Sequence, residues 1–247
     1  MINFSLSSKQ LNSHAFILLK CVIILVPPYI VCKYLYVRYK DDRKRYEEAV
    51  LFRKRHNCVV MYRSGKGHSG WPTLISANNI SIKNIDLLYE PFMYFIDTAK
   101  KSLDIAIMSI SVKPIIDALI NAHKRGIKIR VISNFYTNVG KTNYYKEMKR
   151  QNIPIMFYVS TDKTDSIMHT KFIVKDFDDT DGGYLLTGSF NLTLTAFTSN
   201  YEDVVFTSNR VIVEDFHKNF EEMWQYFISD NTRAFNRLIL ENAGFLP

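Results

Sequence analysis

Cysteine is scarce in this chain, with three residues in 247. Cys21 and Cys32 lie in an apolar N-terminal stretch, and Cys58 stands alone in the part that follows. Three thiols placed in this way exclude a disulfide framework and favour a reducing compartment. Stability therefore has to come from a buried core, and the length is sufficient for one sizeable α/β domain with an appendage.

A basic excess is also missing from most of the chain. The formal net charge is +8, yet residues 67–247 hold nineteen basic and twenty acidic side chains. The excess lies in residues 1–37, with three lysines and no acid, and in residues 38–66, with ten basic and four acidic side chains. The main part of the chain is near neutral, so only a local groove could bind nucleic acid by charge.

The longest apolar run covers residues 15–37, AFILLKCVIILVPPYIVCKYLYV, and its only charges are two lysines. About 23 residues at roughly 1.5 Å each span a hydrocarbon core. Pro27 and Pro28 would kink a helix, which a membrane tolerates better than water does. A cleaved signal peptide or a buried core helix is the alternative, but no small-x-small cleavage site follows. The pattern predicts a retained single-pass anchor, and the basic flank at 38–55 predicts that the rest faces the cytosol.

Beyond the anchor, apolar periodicity alternates between helical and strand spacing. Residues 38–84 are predicted to form a basic helical linker followed by a small irregular region. The pattern then predicts helices near 85–101, 112–126, 142–152, 192–198 and 211–228, and strands near 103–111, 127–133, 153–159, 168–176, 184–190 and 202–208. The alternation predicts an α/β/α sandwich over residues 85–230, a mixed sheet with helices on both faces, followed by a tail at 231–247.

The residues that carry chemistry lie between 168 and 206. His169 and Lys171 are two positions apart on a predicted strand, so both would project from one face. Ser189 and Asn191 stand where a strand gives way to a predicted helix. There they could cap the helix, whose first N–H groups would favour an anion. The arrangement predicts a phosphate-binding site.

The spacing of these residues resembles the HKD signature of the phospholipase D superfamily. HTK at 169–171 with Asp176 gives HxKx4D, and GSFN at 188–191 gives GSxN. Glu202 follows Asn191 by eleven residues, where family members place a glutamate. One departure is the eleven residues between Asp176 and Gly188, which predict an enlarged turn in DFDDTDGG.

The mitochondrial phospholipase D-like branch, called Zucchini in insects, is similar to this chain over more of its length. The similar features are the anchor, the SLDIAI and IMHTKF strands, the HKRGIKIRVIS passage and the EEMWQYF helix. Together they cover about residues 85–230.

The resemblance implies a phosphodiesterase that forms a phosphohistidine intermediate and needs no catalytic cofactor. His169 would attack phosphorus, and Glu202 would accept the other ring N–H. Lys171, Asn191 and Ser189 would bind the phosphate oxygens. Asp176 would be structural.

The resemblance also implies an oligomer, because the reaction needs a second HKD histidine to protonate the leaving oxygen. The chain has one such motif and no internal repeat. A twofold homodimer with two facing His169 side chains would supply the second histidine.

A structural zinc site is a further possibility that the resemblance raises. Relatives of the Zucchini type bind zinc before this domain, and this chain offers His56, Cys58 and His68 there. Structural zinc normally has four ligands, and no fourth is evident. A zinc site and an irregular loop with unligated side chains both stay open.

Three functions are compatible with this set of residues. The branch resemblance favours a single-strand RNA endonuclease of Piwi-interacting RNA biogenesis at the mitochondrial outer membrane. The alternatives are a phospholipase acting on cardiolipin or a related lipid, and a catalytically silent membrane scaffold, against which the intact polar set counts. RNA and lipid are both phosphodiesters, so the motif does not separate them. A groove lined with Lys and Arg would favour RNA, and an open apolar mouth would favour lipid.

Overall fold

The computed structural model describes residues 8–72, 85–160 and 166–246. The chain divides into two compact units, with the division between Val50 and Leu51.

Helix α1 (Ser8–Arg55) runs through Pro27 and Pro28, and the N-terminal unit contains its part up to Val50. The stretch from Val22 onward is long and apolar enough to cross a membrane, which agrees with the predicted anchor. Past the apolar run, ion pairs one turn apart support the helix, such as that between Arg43 and Glu47 at 2.9 Å. The predicted helical linker is therefore confirmed as a continuation of the same helix.

A mixed sheet of eight strands forms the centre of the second unit within the described residues. The strands are β1 (Cys58–Arg63), β2 (Gly67–Ser69), β3 (Ser102–Ile107), β4 (Lys128–Asn134), β5 (Ile155–Tyr158), β6 (Lys171–Asp178), β7 (Gly182–Gly188) and β8 (Glu202–Thr207). Their order is β2-β1-β8-β7-β6-β3-β4-β5. Strands β3, β4 and β5 are parallel, and the other neighbours are antiparallel.

Helices cover both faces of this sheet. They are α2 (Ile85–Asp97), α3 (Lys113–Lys124), α4 (Thr142–Arg150), α5 (Leu194–Thr198), α6 (Arg210–Asp230) and α7 (Ala234–Asn242). Alternation along β6 separates two cores: Ile173 joins the core of α2 and α3, whereas Phe172 and Val174 join the core of α6. The predicted α/β/α sandwich is confirmed.

Two segments outside the predicted 85–230 domain belong to the same compact unit. The prediction of an irregular region after residue 55 is wrong for 58–63 and 67–69, which form β1 and β2 at one side of the sheet. The alternation that identifies β1 is the burial of Val60 and Tyr62 between exposed neighbours. The predicted tail contains α7, whose Leu240 is buried in the main core.

Candidate active site

The predicted site residues meet at one edge of the sheet. The start of β6 lies beside the end of β3, where Lys171 pairs with Ile107. The end of β7 lies beside the start of β8, where Gly188 pairs with Val204. Because β6 is antiparallel to both β3 and β7, all these strand ends fall on the same edge.

His169 is exposed and precedes β6, so the prediction that it lies on the strand is wrong. The ladder begins only at Lys171, because β3 ends at the residue that pairs with it. The alternation of side chains along β6 therefore does not determine which way the His169 side chain points. A different contact joins the two residues: the Lys171 ammonium donates to the carbonyl oxygen of His169 at 2.5 Å.

The Lys171 side chain is the buried cation of this edge, with 7% of its surface exposed. Burial lowers the pKa of its ammonium, and the nearby Glu202 carboxylate partly opposes that change. A partly desolvated cation interacts more strongly with an anion than one in water does. Lys171 is placed to bind a phosphate oxygen near His169.

Gly188 lets β7 and β8 approach closely at the site. A Cβ atom there would lie 2.1 Å from the carbonyl oxygen of Asp203, so no other residue fits without a backbone shift. Because the two strands are close, the next residue can reach β8. Ser189 Oγ accepts from the Asp203 backbone N–H at 3.1 Å and donates to the Glu202 carboxylate.

Glu202, the first residue of β8, has partners for both carboxylate oxygens. One accepts from Ser189, and the other accepts from the Asn200 side chain at 2.8 Å. These bonds fix the carboxylate at the edge of the sheet where Lys171 lies. Its predicted bond to the His169 ring stays a prediction.

Asn191 is half-buried and does not cap a helix as predicted. Helix α5 has five residues, and its N-cap is Thr193. The Asn191 Oδ1 atom is buried and has no hydrogen-bond partner among the described residues. A buried acceptor left unpaired costs about 1–3 kcal/mol, a cost that a ligand's donor group or the closing of a binding site can remove.

Asp176 joins two strands through backbone bonds. It lies at a bulge between β6 and β7 with a φ of 54°, in the left-handed region. Its carboxylate accepts from the backbone N–H groups of Lys100 at 2.9 Å, Lys101 at 2.6 Å and Ser102 at 3.0 Å. The carboxylate thereby holds the start of β3 against β6, which supports the predicted structural role.

We expect Asp176→Ala to lower the free energy of unfolding by about 3 kcal/mol, because three N–H groups lose a charged acceptor. Urea titration of the full chain in detergent measures the change. Asp181→Ala, at an exposed residue of the adjoining turn, is the matched control. Equal stability of the two variants would refute the structural role.

The structure does not bring His56, Cys58 and His68 together as a metal site. The His56 Nε2 atom faces the Lys175 ammonium at 2.8 Å, and Nδ1 bonds the Phe52 carbonyl oxygen at 2.8 Å. His68 bonds the Leu87 carbonyl oxygen at 3.0 Å. A neighbouring ammonium opposes a zinc ion at His56, so of the two interpretations that the sequence left open, these residues fit the unligated one better.

One cluster within the described residues does have ligand-type atoms close together, namely Asp104, His217 and Glu221. The Arg130 guanidinium donates to Asp104 at 2.7 Å and to Glu221 at 2.5 Å. Both carboxylates are thus already paired with one guanidinium, and the cluster forms an ion-pair network on the face covered by α6.

Sequence reasoning missed Asn134, the last residue of β4. Its Oδ1 accepts from the backbone N–H of Met168, the residue before His169, at 3.1 Å. The available signal was a polar residue directly after the apolar run of a strand, in IRVISN.

Comparison with known families identifies the fold carrying this site. The family model described as "Cardiolipin synthase, PLD-like domain" matches residues 93–224, more than half of the chain. The chain belongs to the PLD-like domain family. The predicted phospholipase D superfamily membership is therefore confirmed, and with it the class of phosphodiesterases.

Relatives of this PLD-like chain include proteins named mitochondrial cardiolipin hydrolase. The one from Xenopus laevis is 25% identical over 193 residues, covering 78% of this chain and 83% of its own length. The one from Chlamydomonas reinhardtii is 30% identical over 136 residues, covering 55% and 57%. A solved phospholipase D family member, Nuc from Salmonella typhimurium, is 27% identical, covers 57% of this chain and 86% of its own, and has a TM-score of 0.47.

Proposed function

We propose that this chain hydrolyses phosphodiesters without a metal ion, through a covalent phosphohistidine on His169. The exposed His169, whose backbone carbonyl oxygen accepts from the buried Lys171 ammonium, carries the proposal. A ring nitrogen of His169 forms a bond to phosphorus as the bond to the leaving oxygen breaks, and that oxygen takes a proton from an acid. Water then attacks phosphorus and gives a proton back to that acid, and the bond between phosphorus and the histidine nitrogen breaks. Lys171, Asn191 and Ser189 offset the charge on the phosphate oxygens.

The acid in this proposal is His169 of a second copy, since the motif occurs once per chain. Each site then needs two chains, and a homodimer is the active form.

Heterodimers of wild type and His169→Ala test the shared site. We expect less than about 1% of wild-type activity in purified heterodimers, because each site keeps one of its two histidines. Differently tagged chains, coexpressed and purified through both tags, give the heterodimer. Heterodimers of wild type with His123→Ala are the control. Half of the wild-type activity would indicate independent sites and contradict the proposal.

The substrate we propose first is a membrane phospholipid of the cardiolipin class. Three exposed apolar side chains stand within three residues of site residues: Ile167 at 51% exposure, Leu194 at 52% and Tyr201 at 75%. Apolar groups at a site mouth suit a lipid surface better than a nucleic acid. The names of the relatives and the apolar α1 helix agree with a lipid substrate.

Single-stranded RNA is the second candidate, favoured by basic residues beside Glu202. Tyr62, the register partner of Glu202, is followed by Arg63 at the end of β1 and then by the turn that carries Lys66. These two residues line a cavity of about 150 Å³. Cations there could bind further phosphates of a nucleic-acid strand. A role in Piwi-interacting RNA biogenesis depends on this candidate.

We place the protein at the mitochondrial outer membrane with the catalytic domain facing the cytosol. The relatives named mitochondrial and the basic segment after the apolar run support this location.

Variants of the exposed apolar residues Ile167 and Leu194 distinguish between the two candidate substrates. We expect the double variant Ile167→Ser with Leu194→Ser to hydrolyse cardiolipin in vesicles about tenfold more slowly, because it loses apolar contact with the lipid surface. Its hydrolysis of soluble bis(p-nitrophenyl) phosphate should stay near wild type. The full chain is assayed in both formats with EDTA, and Val211→Ser, exposed on α6, is the control.

Parallel incubation with end-labelled single-stranded RNA completes the comparison. His169-dependent RNA cleavage without lipid turnover would reject the phospholipid and favour RNA.

A further inference from the structure

A buried polar network lies at the ends of β3 and β4, next to the edge of the sheet where Lys171 and Gly188 lie. Asn134 and Asn138 are each 2% exposed, and Ser109 is 3% exposed. Buried amides and hydroxyls require partners inside the protein. Here those partners connect the chain segment that carries His169 with the chain segment that carries Asn191.

Asn134 supports the segment that carries His169. Its Oδ1 accepts from the Met168 backbone N–H at 3.1 Å, and its Nδ2 donates to Thr137 Oγ1 at 3.2 Å. Met168 is itself buried in the core covered by α6. The peptide before His169 is thus held by a hydrogen bond and by packing, while the imidazole stays exposed.

Ser109 supports the segment that carries Asn191. Its carbonyl oxygen accepts from the Leu192 backbone N–H at 3.1 Å, and the Ser111 N–H donates to the Leu192 carbonyl oxygen at 2.8 Å. These bonds form a short parallel bridge between Ile110, in the segment that follows β3, and Leu192, the residue after Asn191.

Asn138 links the two supports. Its Oδ1 accepts from Ser109 Oγ at 2.8 Å, and its Nδ2 donates to the backbone carbonyl oxygen of Asn134 at 2.6 Å. An unbroken path of bonds and residues therefore runs from Met168 through Asn134, Asn138 and Ser109 to Leu192.

We propose that Asn134 is a positioning residue for phosphodiester hydrolysis. Through the Met168 peptide it holds His169 at the separation from Asn191 that lets the imidazole attack a phosphorus bound by the amide. Asn134 itself touches no substrate. A misplacement of about 1 Å can lower a rate about 100-fold, so one hydrogen bond is enough to matter. The role rests on the proposed phosphohistidine reaction.

Asn134→Leu tests the role, because leucine keeps the branched shape of the side chain and removes the acceptor. Asn236→Leu is the matched control: Asn236 is also buried, at 3% exposure, and donates to Asp230 in the α6–α7 corner. Both variants should lose stability. With bis(p-nitrophenyl) phosphate and full chain in detergent, well below either Tm, we expect about 100-fold lower kcat and a KM within about twofold for Asn134→Leu only.

Asn134→Asp is the rescue variant, since its carboxylate still accepts from Met168. We expect its kcat to lie at least tenfold above that of Asn134→Leu. A kcat of Asn134→Leu within twofold of wild type would overturn the positioning role and leave Asn134 merely structural.

An NMR measurement keeps this test independent of turnover. The ring ¹H–¹³C signal of His169 is assigned by its loss in His169→Ala. It should move or broaden in Asn134→Leu and stay unchanged in Asn236→Leu. An unmoved signal in both variants refutes the positioning role, whereas wild-type hydrolysis that persists in His169→Ala refutes the proposed reaction itself.

Discussion

Replacing His169 by alanine should lower hydrolysis of bis(p-nitrophenyl) phosphate by on the order of 10⁴-fold or more, because the attacking nitrogen is lost. The stability of the variant should be close to wild type, since the side chain is exposed. The measurement is a steady-state assay of the full chain in detergent, paired with acid quench and detection of phosphohistidine. The covalent adduct should be absent from the variant.

His123→Ala is the control for this result. His123 is a half-buried histidine near the end of α3, bonded to the Ile127 carbonyl oxygen at 3.3 Å. Its rate should stay within about twofold of wild type, as expected of a residue away from the site. Comparable losses in both variants would point to a general folding defect and remove the support for His169 as nucleophile.

Lys175→Met should change how stability depends on pH. Lys175 is fully buried, its ammonium lies 2.8 Å from His56 Nε2 and 2.6 Å from Thr98 Oγ1, and aromatic rings surround it. Burial lowers the pKa of Lys175 to about 7, against an ordinary value near 10.4 in the unfolded chain. Between these values the unfolded state binds more protons than the native state, so wild-type stability rises with pH.

The stability of wild type relative to Lys175→Met should therefore be flat below about pH 7 and increase by several kcal/mol as pH approaches 10. Urea denaturation at pH 6 to 9.5 follows most of this rise. Lys124→Met, at an exposed lysine, should keep the wild-type slope. A constant difference between wild type and Lys175→Met over this range would show that Lys175 stays charged in the native protein.

His56 should add a second rise at lower pH. Burial, together with the nearby Lys175, lowers the pKa of His56 to about 4. Protonation of the unfolded chain near pH 6.5 then lowers stability as pH falls toward 4. The pH profile should thus have two separate rises, and Lys175→Met should remove the upper one.

Periodicity in the sequence predicted most of the fold because most elements have one buried face. Strand β4 and helix α3 follow this rule. The predicted helix at 112–126 ends with Gly126, which has a φ of 93°, a backbone conformation that glycine adopts readily after a helix. The hairpin of β1 and β2 was missed because its strands are short and the exposed face of β1 carries the apolar Val59 and Met61, so polar and apolar residues do not alternate there.

The chemical identity of the site was easier to predict than its geometry. The spacing of polar residues in the sequence identified His169, Lys171 and Asn191 as site residues. The structure places all three at one edge of the sheet. The direction of His169 depends on where the β6 ladder begins, which is decided by the partner strand β3 and not by residues near the histidine. Asn134 is separated from His169 by 35 positions, so no local pattern could relate them.

The absence of a side chain at Gly188 has a consequence for descent within the family. The glycine takes no part in any chemical step, yet a single added carbon would collide with the Asp203 carbonyl oxygen. Replacing the glycine would therefore shift the backbone that carries Ser189 and Asn191, although every reactive side chain is kept. Homologous chains that keep those side chains but lack this glycine are expected to have a different geometry at this edge.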